Sequence, residues 1–175
     1  MRSDTPVKGG GNNCCAADDT AVTSLLHWQV PVQSQSLVLE GGSLEINNKG
    51  LLLTTSHCLL NPNRNPDLSQ QEIEQQLRQQ LGASEFLWLH HGHVEGDDND
   101  AHIDTLACIC DEHSSFYVHC DDPQDSHFDA LQKMETELQQ HADRHQLKLV
   151  PLPMTEAAYD QDGERLPGTY ANFLI

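Results

Sequence analysis

The sequence predicts an α/β fold, an incomplete pseudo-symmetric ring built from strand–strand–helix–strand modules. Three observations lead there. The order hairpin, helix, strand occurs twice at a spacing of roughly 60 residues. Both helical stretches carry an apolar stripe behind a polar cap residue. The two chain ends each read as part of a further module.

The first complete module starts after Gly42. Residues 43–46 and 51–55 are short apolar runs around Asn47-Asn48-Lys49-Gly50, a hairpin signal. The loop NPNRNPD follows, where Asn and Pro anchor a turn and Arg64 is expected in an internal ion pair. Ser69 with Glu72 forms a capping-box pattern ahead of Ile73, Leu77 and Leu81, and Gly82 is the stop signal. Residues 86–89 read as a buried strand. The second module repeats the order: a hairpin over 102–110 and 115–120 joined by 111–114, a helix from about Ser126 with Asp129 three residues on, and a strand over 147–152. The helix turns Leu131, Met134 and Leu138 inward.

Residues 18–28 read as a helix and 36–40 as a strand, so residues 1–35 are taken as a divergent remnant of a preceding module. Residues 168–175 read as the first strand of a later module, so residues 36–175 are taken as repeat modules truncated in the last one. Unpaired strand edges of this kind invite association with missing modules or with a second copy.

Composition narrows the function. The net charge is −18, from 27 acidic and 9 basic residues. Nucleic acid is a poor partner for such a field, since phosphate binding needs clustered Lys and Arg, whereas a cationic small molecule suits it. No apolar run is long enough to span a membrane, and MRSDTPVKGGGNN has no secretory apolar core. Six cysteines without a Cys-x-x-Cys pair read as reduced thiols of a cytoplasmic protein. Cys58, Cys108, Cys110 and Cys120 are expected as small core residues, while Cys14 and Cys15 receive no role.

The junctions between modules carry the candidate chemistry. One reads Glu40-Gly41-Gly42-Ser43 and the next GDDNDAHID at 96–104. On the expected strand His102 and Asp104 share a face. Gly41, Gly42 and Gly96 would let a ligand approach the backbone. Several carboxylates beside one histidine suit a guanidinium, a planar cation whose five N–H donors match carboxylates in pairs. Hydrolysing it calls for carboxylate clamps, a thiolate nucleophile, and a histidine to protonate departing ammonia and then activate water.

LVLEGGSLEIN at 37–47, LLLTTSHCLLNPNRNP at 51–66, WLHHGHVEGDDNDAHID at 88–104 and PLPM…YDQDGERLPGTYANFLI at 151–175 together resemble the agmatine deiminase family. This is the Porphyromonas-type arginine deiminase family, within the guanidine-modifying, pentein-like β/α-propellers. The resemblance implies a five-module propeller that converts agmatine and water to N-carbamoylputrescine and ammonia for putrescine synthesis, with no metal or organic cofactor. It implies His102 as general acid/base, Asp104 as guanidinium clamp, Asp98 at the far end of the substrate, and Glu40 as a supporting residue. A peptidyl-arginine deiminase of the same family, or a non-catalytic interaction module, is the alternative.

The sequence also departs from the family pattern. The upstream Trp-x-Arg-Asp motif and the downstream glycine-rich segment ending in His-Cys, which carries the nucleophile, are absent. Asn99 and Ala101 stand where the motif usually has Thr and Gly, and His91 and His93 are departures nearby. The chain alone is therefore expected to be inactive. His90, His91 and His93 with the neighbouring aspartates match neither an HExxH nor an EF-hand spacing, so no metal is expected. A solvated hairpin start would also account for His102 and Asp104, and Glu40 could merely order the Gly-Gly turn.

Overall fold

The structure, a computed structural model, describes residues 31, 35–97 and 100–172. The helix expected over 18–28, together with Cys14, Cys15, Asp98 and the last three residues of the strand expected over 168–175, lies outside the described residues.

Two three-stranded mixed sheets repeat one topology. In the first, β1 (Leu44–Ile46) pairs antiparallel with β2 (Leu51–Thr55), setting Leu44 opposite Thr54. A short helix α1 (Ser56–Leu59) and a longer helix α2 (Gln70–Leu81) then return the chain, so that β3 (Glu85–Leu89) lies parallel to β2 with Leu53 opposite Leu87. In the second, β4 (Ala107–Ile109) pairs antiparallel with β5 (Ser114–His119), α3 (Phe128–His145) crosses over, and β6 (Lys148–Pro153) lies parallel to β5. The fold is α/β with mixed sheets, and the strand–strand–helix–strand repeat is present twice.

The helices form for local reasons. Ser69 Oγ accepts from the Glu72 backbone N–H and Glu72 reaches back to Ser69, closing the capping box of α2, while Gly82 ends the helix at φ +72°. Ser126 does not cap α3. Its hydroxyl donates to Glu95 at 3.0 Å, His127 stands at the helix start, and Asp125 receives the His127 backbone N–H at 2.9 Å. His127 makes no side-chain cap bond, and an Asx-type turn at Asp125 leads into the helix instead.

Strand alternation sends the two faces of the first sheet to different helices. Leu52 and Trp88 pack with Ile73 and Leu77 of α2. Leu51, Leu53, Leu87 and Leu89 of the other face join Leu131, Met134 and Leu138 of α3 in the larger core. The helix of the second module thus covers the sheet of the first, and this joins the modules.

Three expected strands are corrected. Residues 36–40 form none; the side-chain amide of Asn65 accepts from Val38 N–H at 3.0 Å and donates to Val38 carbonyl at 3.1 Å, standing where a neighbouring strand would. Residues 102–106 leave the strand for a 3-10 turn over Ile103–Thr105, in which Thr105 N–H and hydroxyl both donate to the His102 carbonyl, so only Ala107–Ile109 is extended. Residues 168–172 are not a strand either. Thr169 hydroxyl bonds the Thr105 carbonyl at 3.0 Å, and Arg165 grips Asp125 with two nitrogens at 3.1 and 2.9 Å. Arg165 and Pro167 pack over Gly96, whose Cβ position is taken by the Arg165 carbonyl. Among the described residues no helix is long and apolar enough to cross a membrane.

Replacing Ser69 with Ala removes a cap and is expected to cost about 1 kcal/mol. Replacing the equally exposed Ser126 should change stability by less than about 0.5 kcal/mol. Denaturant midpoints at constant m-value measure both.

Candidate active site

The site forms where the two modules meet, and it is built from four short segments. Glu40 precedes the 3-10 turn Gly41–Ser43, which its carbonyl closes by accepting from Ser43 N–H and hydroxyl at 3.0 and 2.6 Å. Its carboxylate is thus free of backbone duty, so ordering the Gly-Gly turn falls to the main chain rather than to this side chain. Arg64 comes from the loop between α1 and α2. Asp100 and His102 come from the segment entering the second module, and Asp104 from the turn after it.

Arg64 is the centre of the arrangement. Its side chain is 1 % exposed, with Nε 2.7 Å from Glu40 Oε2 and Nη1 2.7 Å from Asp100 Oδ2. The internal ion pair expected for Arg64 is present, and these are its partners. Glu40 Oε2 also lies 2.8 Å from His102 Nε2. A carboxylate only accepts, so His102 carries its hydrogen on Nε2. Burial by itself would raise the Glu40 pKa, but the hydrogen bonds and charges of Arg64 and His102 outweigh it and hold the carboxyl below the usual glutamate value.

His102 and Asp104 do lie together, though not because a strand alternates. The 3-10 turn brings both side chains onto Gly42: a Cβ there would meet Asp104 Oδ2 and lie 2.8 Å from His102 Nδ1. The space over Gly42 and Gly96 is therefore filled by the chain's own atoms, and only Gly41 has open room above it. Asp104 Oδ1 is buried with no hydrogen-bond partner among the described residues. Burial first, then the neighbouring Asp97 charge, push the Asp104 pKa above the usual aspartate value against the opposing pull of His102. A carboxylate in that condition gains strongly from an arriving cation that can donate hydrogen bonds.

An open cleft of about 410 Å³ adjoins the cluster, and Glu95, Asp97, Asp100, His57 and His93 are among its lining residues. Its carboxylates add to the negative charge near Asp104. Asp98, expected at the far end of a substrate, lies outside the described residues.

Cys58 was expected as an apolar core residue. It is fully buried, yet its thiol faces Glu40 Oε2 at 3.8 Å. Donor atoms of Glu40, Cys58 and His102 lie within 4.8 Å of one another, a spacing that fits a thiophilic cation. The Arg64 guanidinium on the same Glu40 oxygen sets a positive charge against that use. Burial pushes the Cys58 thiol up to about 12, and the Cys108 thiol likewise to about 12. Burial also raises Cys110 and Cys120. None of the four described thiols is poised as a thiolate at neutral pH. His91 is paired with Glu137 at 2.7 Å, and His127 donates Nδ1–H to Asp125 while its Nε2 accepts from the Glu95 N–H at 2.8 Å. Both serve the scaffold.

Repeated mixed-sheet modules that meet at a carboxylate-flanked histidine define an α/β protein with a charged, largely buried cluster at the module junction. The family model for Porphyromonas-type peptidyl-arginine deiminase matches residues 8–175, and the chain belongs to that family. An agmatine deiminase of Pseudomonas fluorescens is 33 % identical over 162 residues, which is 82 % of this chain and 44 % of the relative. Among solved structures, a substrate-bound agmatine deiminase variant of C. jejuni is 38 % identical with a TM-score of 0.82, covering 89 % of this chain and 46 % of that one. The agmatine deiminase of Enterococcus faecalis is 25 % identical with a TM-score of 0.68, covering 87 % and 44 %. The chain spans somewhat less than half the length of these relatives.

Replacing Gly42 with Ala drives a methyl group into Asp104 and His102 and should destabilise the chain by about 1–3 kcal/mol, read as a shift of the denaturant midpoint. Because burial raises the Asp104 pKa, the stability its protonated form contributes is full at low pH and lost as pH rises through a value above that of an ordinary aspartate. The stabilisation from Glu40 behaves differently: its depressed pKa makes that contribution full above its unfolded value and lost as pH falls through its folded value.

Proposed function

We propose that this chain supplies the acid/base and guanidinium-clamping half of an agmatine deiminase site, serving conversion of agmatine and water to N-carbamoylputrescine and ammonia in putrescine synthesis. The observation that carries the reading is the buried Asp104 oxygen beside His102, which has no hydrogen-bond partner among the described residues. Family membership and the agmatine deiminases it resembles support the substrate.

In this reading Asp104 holds the guanidinium of the substrate and the acidic cleft receives the positive far end, with Asp98 contributing there. A thiolate attacks the guanidinium carbon, and the C–N bond to the departing nitrogen breaks as His102 delivers a proton to release ammonia. His102 then removes a proton from water, which attacks the same carbon and expels the thiolate, leaving a urea group. Glu40 accepts from His102 Nε2 throughout and holds the ring in place. The thiol must come from beyond the described residues, because the four described thiols stay protonated. The modules belong in this reading to a propeller of the cytoplasm whose remaining blades complete the site. Peptidyl arginine is the second candidate substrate, favoured by the family description and by the open cleft, which leaves room for a longer chain.

Titration with agmatine tests the reading. Agmatine should bind, putrescine at the same concentration should not displace it, and Asp104→Asn should lose at least about tenfold in affinity. Equal competition by putrescine would show that the guanidinium is not what the site recognises. A blocked arginine amide that displaces agmatine more strongly than agmatine itself would favour the peptidyl substrate. The chain on its own is expected to release no ammonia, and turnover by it would contradict the need for a further thiol.

A further inference from the structure

We propose that Arg64 is a positioning residue for His102, acting through Glu40 on its ring and through Asp100 on the backbone that carries it. The inference rests on the deiminase reading for its functional meaning, but its geometry stands by itself.

The ring is fixed first. Arg64 Nε and His102 Nε2 converge on one oxygen, Glu40 Oε2, at 2.7 and 2.8 Å. With one face of that oxygen taken by a buried guanidinium, its remaining acceptor direction is set, and so is the side from which the imidazole must donate. Nδ1 then turns toward Gly42 and Asp104. The tautomer and the ring direction therefore depend on a residue that the ring does not touch.

The backbone is fixed second. Asp100 and Ala101 stand at φ +59° and +57°, two successive left-handed residues with side chains, immediately before His102. That conformation is costly and persists only where its surroundings hold it. Arg64 Nη1 holds the Asp100 carboxylate at 2.7 Å, and Thr55 hydroxyl holds the Ala101 carbonyl at 2.8 Å. The loop bearing Arg64 is itself tied down, since Asn65 grips the Val38 backbone two residues before Glu40. One guanidinium thus spans both supports of the histidine. A lysine cannot, because its donors radiate from a single atom whereas the fork presents them on separate edges.

A purely structural ion pair would affect stability alone, so the test reads the ring. In uniformly ¹⁵N-labelled chain, long-range proton–nitrogen spectra should show His102 with one protonated and one bare nitrogen, the proton on Nε2. Arg64→Ala and Arg64→Lys should bring the two nitrogen shifts of His102 together and weaken agmatine binding by at least about tenfold. Ile73→Ala, which damages the core of the first module away from the site, should lower stability yet leave both His102 signals in place. Glu40→Gln should reproduce the loss of the single tautomer, which keeps the test valid if the Arg64 variants do not fold. Folded Arg64 variants, or a Glu40→Gln chain, with unchanged His102 signals would overturn the proposal. Loss of the tautomer in a chain whose parent binds no agmatine would keep the positioning role and sink the deiminase reading instead.

Discussion

The shared oxygen of Glu40 is the contact on which the site depends. A buried guanidinium from the first module and an imidazole from the second both donate to it, at 2.7 and 2.8 Å. A buried arginine is expensive unless its charge is met and its N–H groups are satisfied. Among the described residues two carboxylates meet it, Glu40 and Asp100, one on each side of the junction. The apolar join, in which α3 packs on the sheet of the first module, brings the modules together, and the polar cluster bridges them beside it.

Opposite electrostatic conditions coexist around one histidine. Glu40 is saturated with donors and its pKa is depressed, so it stays ionised as a permanent support. Asp104 has a buried oxygen with no hydrogen-bond partner among the described residues, and its pKa is raised. The first condition suits a group that orients, the second a group that waits for a cation. Environments that push neighbouring carboxylates apart in this way separate the roles of otherwise similar side chains. The histidine lies between them, bonded to one and packed with the other over Gly42.

Some of this was legible in the sequence, and the division follows the range of the forces. Helix α2 could be read to the residue because Ser69, Glu72 and Gly82 are local signals. The repeated module order was equally legible from apolar periodicity. The strand expected over 36–40 failed because its pairing is replaced by the Asn65 side chain, 27 positions away. The strand expected from His102 failed because Thr105 returns two hydrogen bonds to the His102 carbonyl and winds a turn that alternation cannot reveal. Glu40, His102 and Asp104 were named as candidates, and the structure brings them together. What joins Glu40 to His102, 62 positions apart, could not be read from either motif. Nor could the identity of the partners of Arg64, although the charged residue in an otherwise turn-forming Asn-Pro loop was the available signal. The thiol of Cys58 was hidden for the same reason: a short apolar residue in an apolar run gives no hint that it faces a carboxylate.

The central claim is that His102 and Asp104 together form a receptor for a guanidinium. Selective carbon-13 labelling of aspartate carboxyls and histidine rings, followed during addition of methylguanidinium, tests it most directly. Shifts confined to Asp104, His102 and their neighbours around the cleft, with His119 and His127 unmoved, are the predicted result. A titration in which Asp104 and His102 stay fixed while other acidic groups respond would contradict the account.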